Sequence, residues 1–141
     1  MFRTKLSRWH GLATLIRIPT VLIMIGLASP ANAAEWWFLT SFDNNSNLTL
    51  DFADKESATR TSTNVVQGWT YVIHKRLDSS GVRKTKSLYK YDCDNRTMTP
   101  VSYLNFGNNG VIVSSGTFQS YEQRPTPISP DSIGETEMKF F

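Results

Sequence analysis

From Glu35 to Phe118, apolar and aromatic residues recur at every second position in short runs, each closed by Asn, Asp, Ser, Thr or Gly. A period of two belongs to the half-buried β-strand, whose successive side chains point to opposite faces. Runs this short leave no room for long crossovers, so the chain is restricted to an antiparallel meander. "EWWFLT" is the first strand, and "SFDNNSN" supplies turn residues. "LTLDFAD" then places Leu48, Leu50 and Phe52 on one face, and the polar stretch "KESATRTSTN" reads as a connection. "VVQGWTYVIHKR" sets Trp69, Tyr71 and Ile73 on one side and Val72 on the other. "LDSSGV" is a hairpin signal. On the return strand Tyr89, Tyr91 and Cys93 share one side, with Lys84, Lys86, Leu88 and Lys90 on the other. "DNRT" and "GNNG" mark the next two turns, around "PVSYLNF" and "VIVSSGTF".

The carboxy-terminal stretch changes character. "YEQRPTPISPD" holds three prolines, which exclude it from a sheet interior or a helix. "PDSIGETEMKFF" fits one short helix, with Asp131 or Ser132 at its amino end and Met138 on its apolar stripe. Gly134 weakens that helix by roughly 1 kcal/mol relative to alanine. The expected class is α+β: a small antiparallel sheet packed with a carboxy-terminal helix.

Residues 1–33 form a different kind of segment. Arg3, Lys5, Arg8 and Arg17 precede an apolar run from Ile18 to Ala28, too short to span a bilayer comfortably, and Ala31-Asn32-Ala33 follows. This is the pattern of a signal peptide cleaved after Ala33, with Ala34 as the first mature residue, leaving a single domain over residues 34–141. Four of the 15 Lys and Arg precede Ala34 and none of the 12 Asp and Glu do, so 11 basic residues face 12 acidic ones thereafter. A near-neutral mature chain gives no global argument for nucleic-acid binding.

Few residues carry recognisable chemistry. Cys93 is the only cysteine and His74 the only histidine after the leader. Parity sends His74 toward solvent and Cys93 toward the core beside the two tyrosines, and neither an oxyanion loop nor an orienting partner is evident, so no catalytic dyad is expected. "DCDNRT" opens like a calcium loop but has Thr97 where the motif needs Gly and Tyr103 where it needs Glu. No zinc site, cofactor motif or phosphate-binding loop is expected. The concentrated charge is Lys75, Arg76, Arg83, Lys84, Lys86 and Lys90, a ribbon suited to an acidic patch on another protein or to a solvated outer face.

Several short boxes occur in a fixed order: an early Trp36 or Trp37, Asp54-Lys55-Glu56-Ser57, "NVVQGWTYVI", "YDCDNR", Tyr103 followed by Gly107 or Gly110, and Pro130, Ser132, Gly134 and Glu135. In that order and spacing the chain resembles the surface-adhesin protein E-like domains of Gram-negative bacteria. The resemblance implies a small antiparallel sheet with one helix. It also implies a second cysteine a few residues after the Gly-Glu pair, where this sequence has Phe140 and Phe141. On that resemblance Cys93 is one half of a disulfide whose partner is absent. Family adhesins of matrix proteins are often lipidated, and no cysteine adjoins the cleavage point here, so the resemblance implies a soluble periplasmic or secreted form without a membrane anchor.

The functional expectation is a non-enzymatic envelope protein that binds a host or envelope protein through Arg76, Lys84, Lys86 and Lys90, with no cofactor. Trp69, Tyr91 and Cys93 are expected to be structural. The alternative is a periplasmic small-molecule-binding or enzyme-inhibitor module with a groove lined by Trp36, Trp37 and Tyr121. A monomer with shielded Cys93 is favoured over a Cys93-linked dimer. Mass spectrometry of protein exported from a Gram-negative host is expected to give a chain beginning at Ala34 or Glu35. Recovery of an intact Met1 species from the periplasm would overturn the cleavage.

Overall fold

Among the described residues, seven strands and one helix follow in the order β1 (Trp36–Asn44), β2 (Asn47–Ser62), β3 (Val65–His74), β4 (Lys84–Asp92), β5 (Thr97–Phe106), β6 (Ile112–Thr117), β7 (Thr126–Pro127) and α1 (Ile133–Phe140). The structure is a computed structural model that describes residues 34–44 and 47–141. The leader and its cleavage after Ala33 lie outside the described residues. The strands form one sheet in the order β1-β2-β3-β4-β5-β6, every neighbouring pair antiparallel, with β7 paired to the other end of β5. This is the α+β class expected from the sequence.

The turns form where the polar clusters lie, by backbone chemistry that the sequence supplies. Asp78 Oδ1 accepts from the Ser80 and Val82 N–H groups at 2.8 Å each, and Gly81 takes the positive φ of 76° that closes the β3–β4 hairpin. Gly110, with the same φ, closes β5–β6. Asp92 Oδ1 caps the β4–β5 turn by accepting from the Asp94 and Asn95 N–H groups.

Two stretches depart from expectation. "KESATRTSTN" is not a connection: its first eight residues are the mostly exposed second half of β2, which resumes pairing with β3 at Thr59 after an irregularity, and only Thr63 and Asn64 turn the chain. Ser57 bridges that irregularity: its hydroxyl donates to Asp54 O at 2.6 Å and accepts the Trp69 N–H at 2.9 Å. The proline-rich segment does enter the sheet, as the two-residue rim strand β7. An edge position tolerates Pro127 because no ladder donor is required on its outer side.

Register assigns the two faces. Val66 faces Tyr91, Gly68 faces Tyr89, Thr70 faces Ala53, Val72 faces Asp51, and His74 faces Thr49. Partners directly across strands share a face, and α1 covers this one. Its apolar centre is Tyr91, Ile128 and Met138, with Tyr89, Met98 and Phe141 packed against them. Phe141 stacks on Tyr91 with centroids 5.4 Å apart. It can do so because Gly68 beneath it has no side chain; a methyl group there would overlap the ring. Gly134 likewise lets the Met98 sulfur approach the helix, so the residue that weakens the helix in isolation tightens its packing.

The ends of α1 are fixed by charge and capping. Ser132 is the N-cap, accepting the Glu135 N–H at 3.3 Å. Glu135 pairs with Arg96 at 2.6 Å and Lys139 at 3.4 Å, and its Oε2 accepts the Asp131 N–H at 2.8 Å. Arg96 above all, then the Asp131 N–H, pull its carboxyl down to about 2.

Cys93 corrects the sequence reading. It is free and exposed. Strand parity does not reach it, because β4 ends at Asp92 and Cys93 belongs to the following turn, its N–H held by Asn64 O at 3.0 Å. The shielded thiol is thereby overturned, although the helix is docked: α1 covers Tyr91, not Cys93. His74 lies at the opposite end of β3, a strand length of about 30 Å away, so the two cannot form a dyad. Contrary to its parity, His74 is half-buried, with Nδ1 3.1 Å from Thr49 Oγ1.

Native protein is expected to react with Ellman's reagent as fast as unfolded protein does; slow labelling would contradict the exposed turn. Gly68→Ala is expected to cost about 1–3 kcal/mol by overpacking, read as a lower urea midpoint, whereas an unchanged midpoint would show that Phe141 does not occupy this position.

Candidate functional site

No helix among the described residues lies over the other face of the sheet. The apolar residues of β2 and β3 that alternate with the buried set lie here: Leu50 faces Ile73, Phe52 faces Tyr71, and Phe38 of β1 faces Phe52. Across β3 and β4, Trp69 faces Leu88, Tyr71 faces Lys86 and Ile73 faces Lys84. Without a covering element these rings shield one another. Trp36 and Tyr71 lie 5.2 Å apart between centroids, Phe38 and Phe52 5.7 Å, and Phe52 and Tyr71 6.2 Å. Phe38 remains 58% exposed.

Lys86 is set among these rings. Its Nζ lies 5.1 Å from the Trp36 ring and 5.4 Å from the Tyr71 ring, a cation held over two aromatic faces. The ion pairs among the described residues are those of Glu135, so Lys84, Lys86 and Lys90 have no carboxylate partner there. Beside Lys86 runs a hollow of about 290 Å³ lined by Ala34, Trp36, Asp54, Trp69 and Leu104. A second, of about 210 Å³, is bounded by Tyr71, Lys84, Lys86, Phe106 and Gly110. Lys84 and Lys86 thus form one patch with the aromatics, half-buried along their stems rather than freely solvated.

The remaining residues singled out in the sequence are placed elsewhere. Lys90 shares the face, but its Nζ donates to Gln123 Oε1 at 3.2 Å, in a separate depression with Ser120 and Pro125. Arg76 is exposed beyond the end of β3, its N–H bonded to Asn47 Oδ1 at 2.9 Å. Trp36, Trp37 and Tyr121 do not line a common groove. Trp37 pairs with Ala53, 47% exposed, with Lys55 Nζ 5.7 Å from its ring, and Tyr121 is 77% exposed in a loop. Trp69 and Tyr91 lie on opposite faces, and Trp69 lines the first hollow as well as packing in the sheet.

Phe38 and Leu104 were not singled out in the sequence, and Asp54 and Phe52 were read there only as a box residue and a strand residue, not as part of this face. The period-two pattern carries Phe52 and Phe38 to this face once the strand register is known. Asp54 enters as a local anchor: its Oδ1 accepts the Glu35 and Glu56 N–H groups at 3.2 and 3.1 Å, and Ser57 reaches back to its carbonyl. The Asp-x-x-Ser box therefore positions Trp69 and the start of β1. No group of three or more His, Cys, Asp or Glu side chains able to hold a metal ion occurs among the described residues.

The open sheet face thus carries clustered rings beside lysines with no carboxylate partner among the described residues. The family model for surface-adhesin protein E matches residues 36–141, and the chain belongs to that family. Membership points to a non-enzymatic, exported or surface protein of the adhesin class. No curated protein matched the sequence. No helix among the described residues is long and apolar enough to cross a membrane.

Ser57→Ala is expected to cost about 1–2 kcal/mol, because it leaves the half-buried Trp69 N–H without a partner. Intrinsic tryptophan fluorescence should shift with it. A variant matching the parent in both stability and emission would remove Ser57 from this positioning role.

Proposed function

We propose that the protein is an exported, non-enzymatic envelope protein that binds an acidic region of a host-matrix or envelope protein through the open sheet face. The observation carrying this reading is Lys86, fixed over Trp36 and Tyr71 with no carboxylate of its own. A lysine already ordered by two rings loses less side-chain entropy on binding than a free one. Rings around it offer apolar contact, and aromatic residues are the commonest anchors of protein interfaces. Family membership supports adhesion as the purpose of the contact. Lys84 extends the charge along the same face, while Lys90 and Arg76 are marginal to it.

The hollow between Trp36 and Trp69 favours a second reading, a module that holds a small molecule or the side chain of a target enzyme. The two readings differ in salt response. Attraction between exposed charges is screened beyond about 8 Å at physiological ionic strength, whereas stacking in an aromatic hollow is far less affected. Pull-downs from envelope fractions and from host-matrix proteins, run in parallel, supply the partner for the test. With that partner, binding by the double variant K84Q/K86Q is expected to fall at least about tenfold, the equivalent of about 1.4 kcal/mol, and parent binding should weaken as salt rises. Lys90→Gln should have a smaller effect. Unchanged affinity in K84Q/K86Q would return these lysines to a solubilising role and leave the aromatic hollow as the candidate.

A further inference from the structure

The face beneath α1 contains two carboxyl groups where an apolar core is expected. Asp51 is 0% exposed, and neither of its carboxylate oxygens has a hydrogen-bond partner. It stands on β2 between Thr49 and Ala53, both also buried, directly across from Val72. Glu137 descends from α1 toward the same region and is 4% exposed. Its Oε2 accepts the Tyr91 hydroxyl at 2.9 Å, and the Thr70 hydroxyl is also turned to it. The two carboxyls are close enough to repel when charged. No lysine or arginine pairs with either, since the ion pairs of the described residues are those of Glu135.

Burying one unpaired carboxylate is costly, and burying two side by side is worse. Retaining a proton on each removes the conflict. We propose that α1 is a pH-sensitive lid on the sheet, seated while Asp51 and Glu137 carry protons and released when they ionise.

The surroundings support this, beginning with β1, where Thr40, an uncharged residue, lies directly across from Asp51. From β4, the hydroxyls of Tyr89 and Tyr91 face the pair, and burial pushes both upward in pKa, so neither supplies charge. From β3 come Thr70 and His74, the imidazole engaged with Thr49. From β5 the neighbour is Met98. Burial, then the nearby Glu137, raises Asp51 to about 8. Burial raises Glu137 to about 7 against the Tyr91 and Thr70 hydroxyls. Water has a route in, because a cavity of about 320 Å³ lined by Thr70, His74, Ser87 and Tyr89 reaches Glu137.

The sign follows from these directions. Both carboxyls bind protons more tightly in the seated state than in an open one, so their contribution is fully present below about pH 4 and is lost as pH rises through 7 to 8. Glu135 has the opposite sign, since Arg96 depresses it; its contribution is lost only as pH falls toward 2, outside that window. Its ion pair and the Ser132 cap keep the amino end of α1 tied. The part that lifts is therefore Glu137 to Phe141, exposing Tyr91 and Met98.

Hydrogen exchange of the helix peptide at pH 5 and pH 8.5, corrected for the intrinsic rate, tests this. Protection over residues 137–141 is expected to fall at least about tenfold, the effect of one pKa unit, while β3 and β4 stay protected. The double variant Asp51→Asn/Glu137→Gln should abolish the difference; that result also excludes His74 as its source. Equal protection at both pH values, or a pH effect that persists in the double variant, would overturn the lid. The parent alone gives a second reading: an infrared carbonyl band of buried protonated carboxyl at pH 6 that disappears by pH 9 supports the proposal, and its absence at pH 6 refutes it.

Discussion

The docking of α1 on one face of the sheet is the interaction on which the rest of the structure depends. A meander this small cannot enclose a core by itself, and a sheet needs a second layer to bury one face. Here that layer is eight helical residues and one terminal ring. Phe141 stacks on Tyr91 over the bare backbone of Gly68, and Arg96 reaches from the β4–β5 turn to Glu135 at the helix start. Together they hold the two ends of the helix. Met138 and Ile128 fill the space between.

Covering one face settles the character of the other. Since α1 is spent on Tyr91, the rings of Trp36, Phe38, Phe52 and Tyr71 are left without a layer above them among the described residues. They reduce their exposure by packing against one another, Phe38 on Phe52 edge-on and the others tilted, and by taking the Lys86 stem and ammonium across two of them. The outcome is a half-buried aromatic surface with cations in it, on a chain that belongs to an adhesin family. Its amphipathic character arises from a shortage of covering elements on that side.

The short boxes that make the family resemblance turn out to be architecture. Asp54 and Ser57 bridge the β2 irregularity and seat Trp69; Arg96 and Glu135 join two boxes far apart in sequence; Gly134 admits Met98. Tyr103 packs over Gly116 rather than over Gly107 or Gly110, the glycines that follow it first in the sequence. These residues were legible as a pattern but not as contacts, because each box is completed by a partner at long range. Cys93 shows the converse. Its parity was clear in the sequence, yet a strand's alternation means nothing past the residue that ends it, and Asp92 ends β4.

Taken alone, the sequence determined most of the strands and turns and the helix, since these rest on local chemistry: period two, the side-chain caps of Asp78 and Asp92, the glycines at positive φ, and the Ser132 cap. It also determined which side chains share a face. Only the tertiary structure decided which face the helix would cover. Local alternation defines two faces symmetrically, and by that pattern Asp51 between Leu50 and Phe52 belongs outside. The choice is made by contacts across 46 and more positions, Tyr91 with Glu137 and with Phe141, which bury Thr49, Asp51 and Ala53 and turn Leu50 and Phe52 toward the open side.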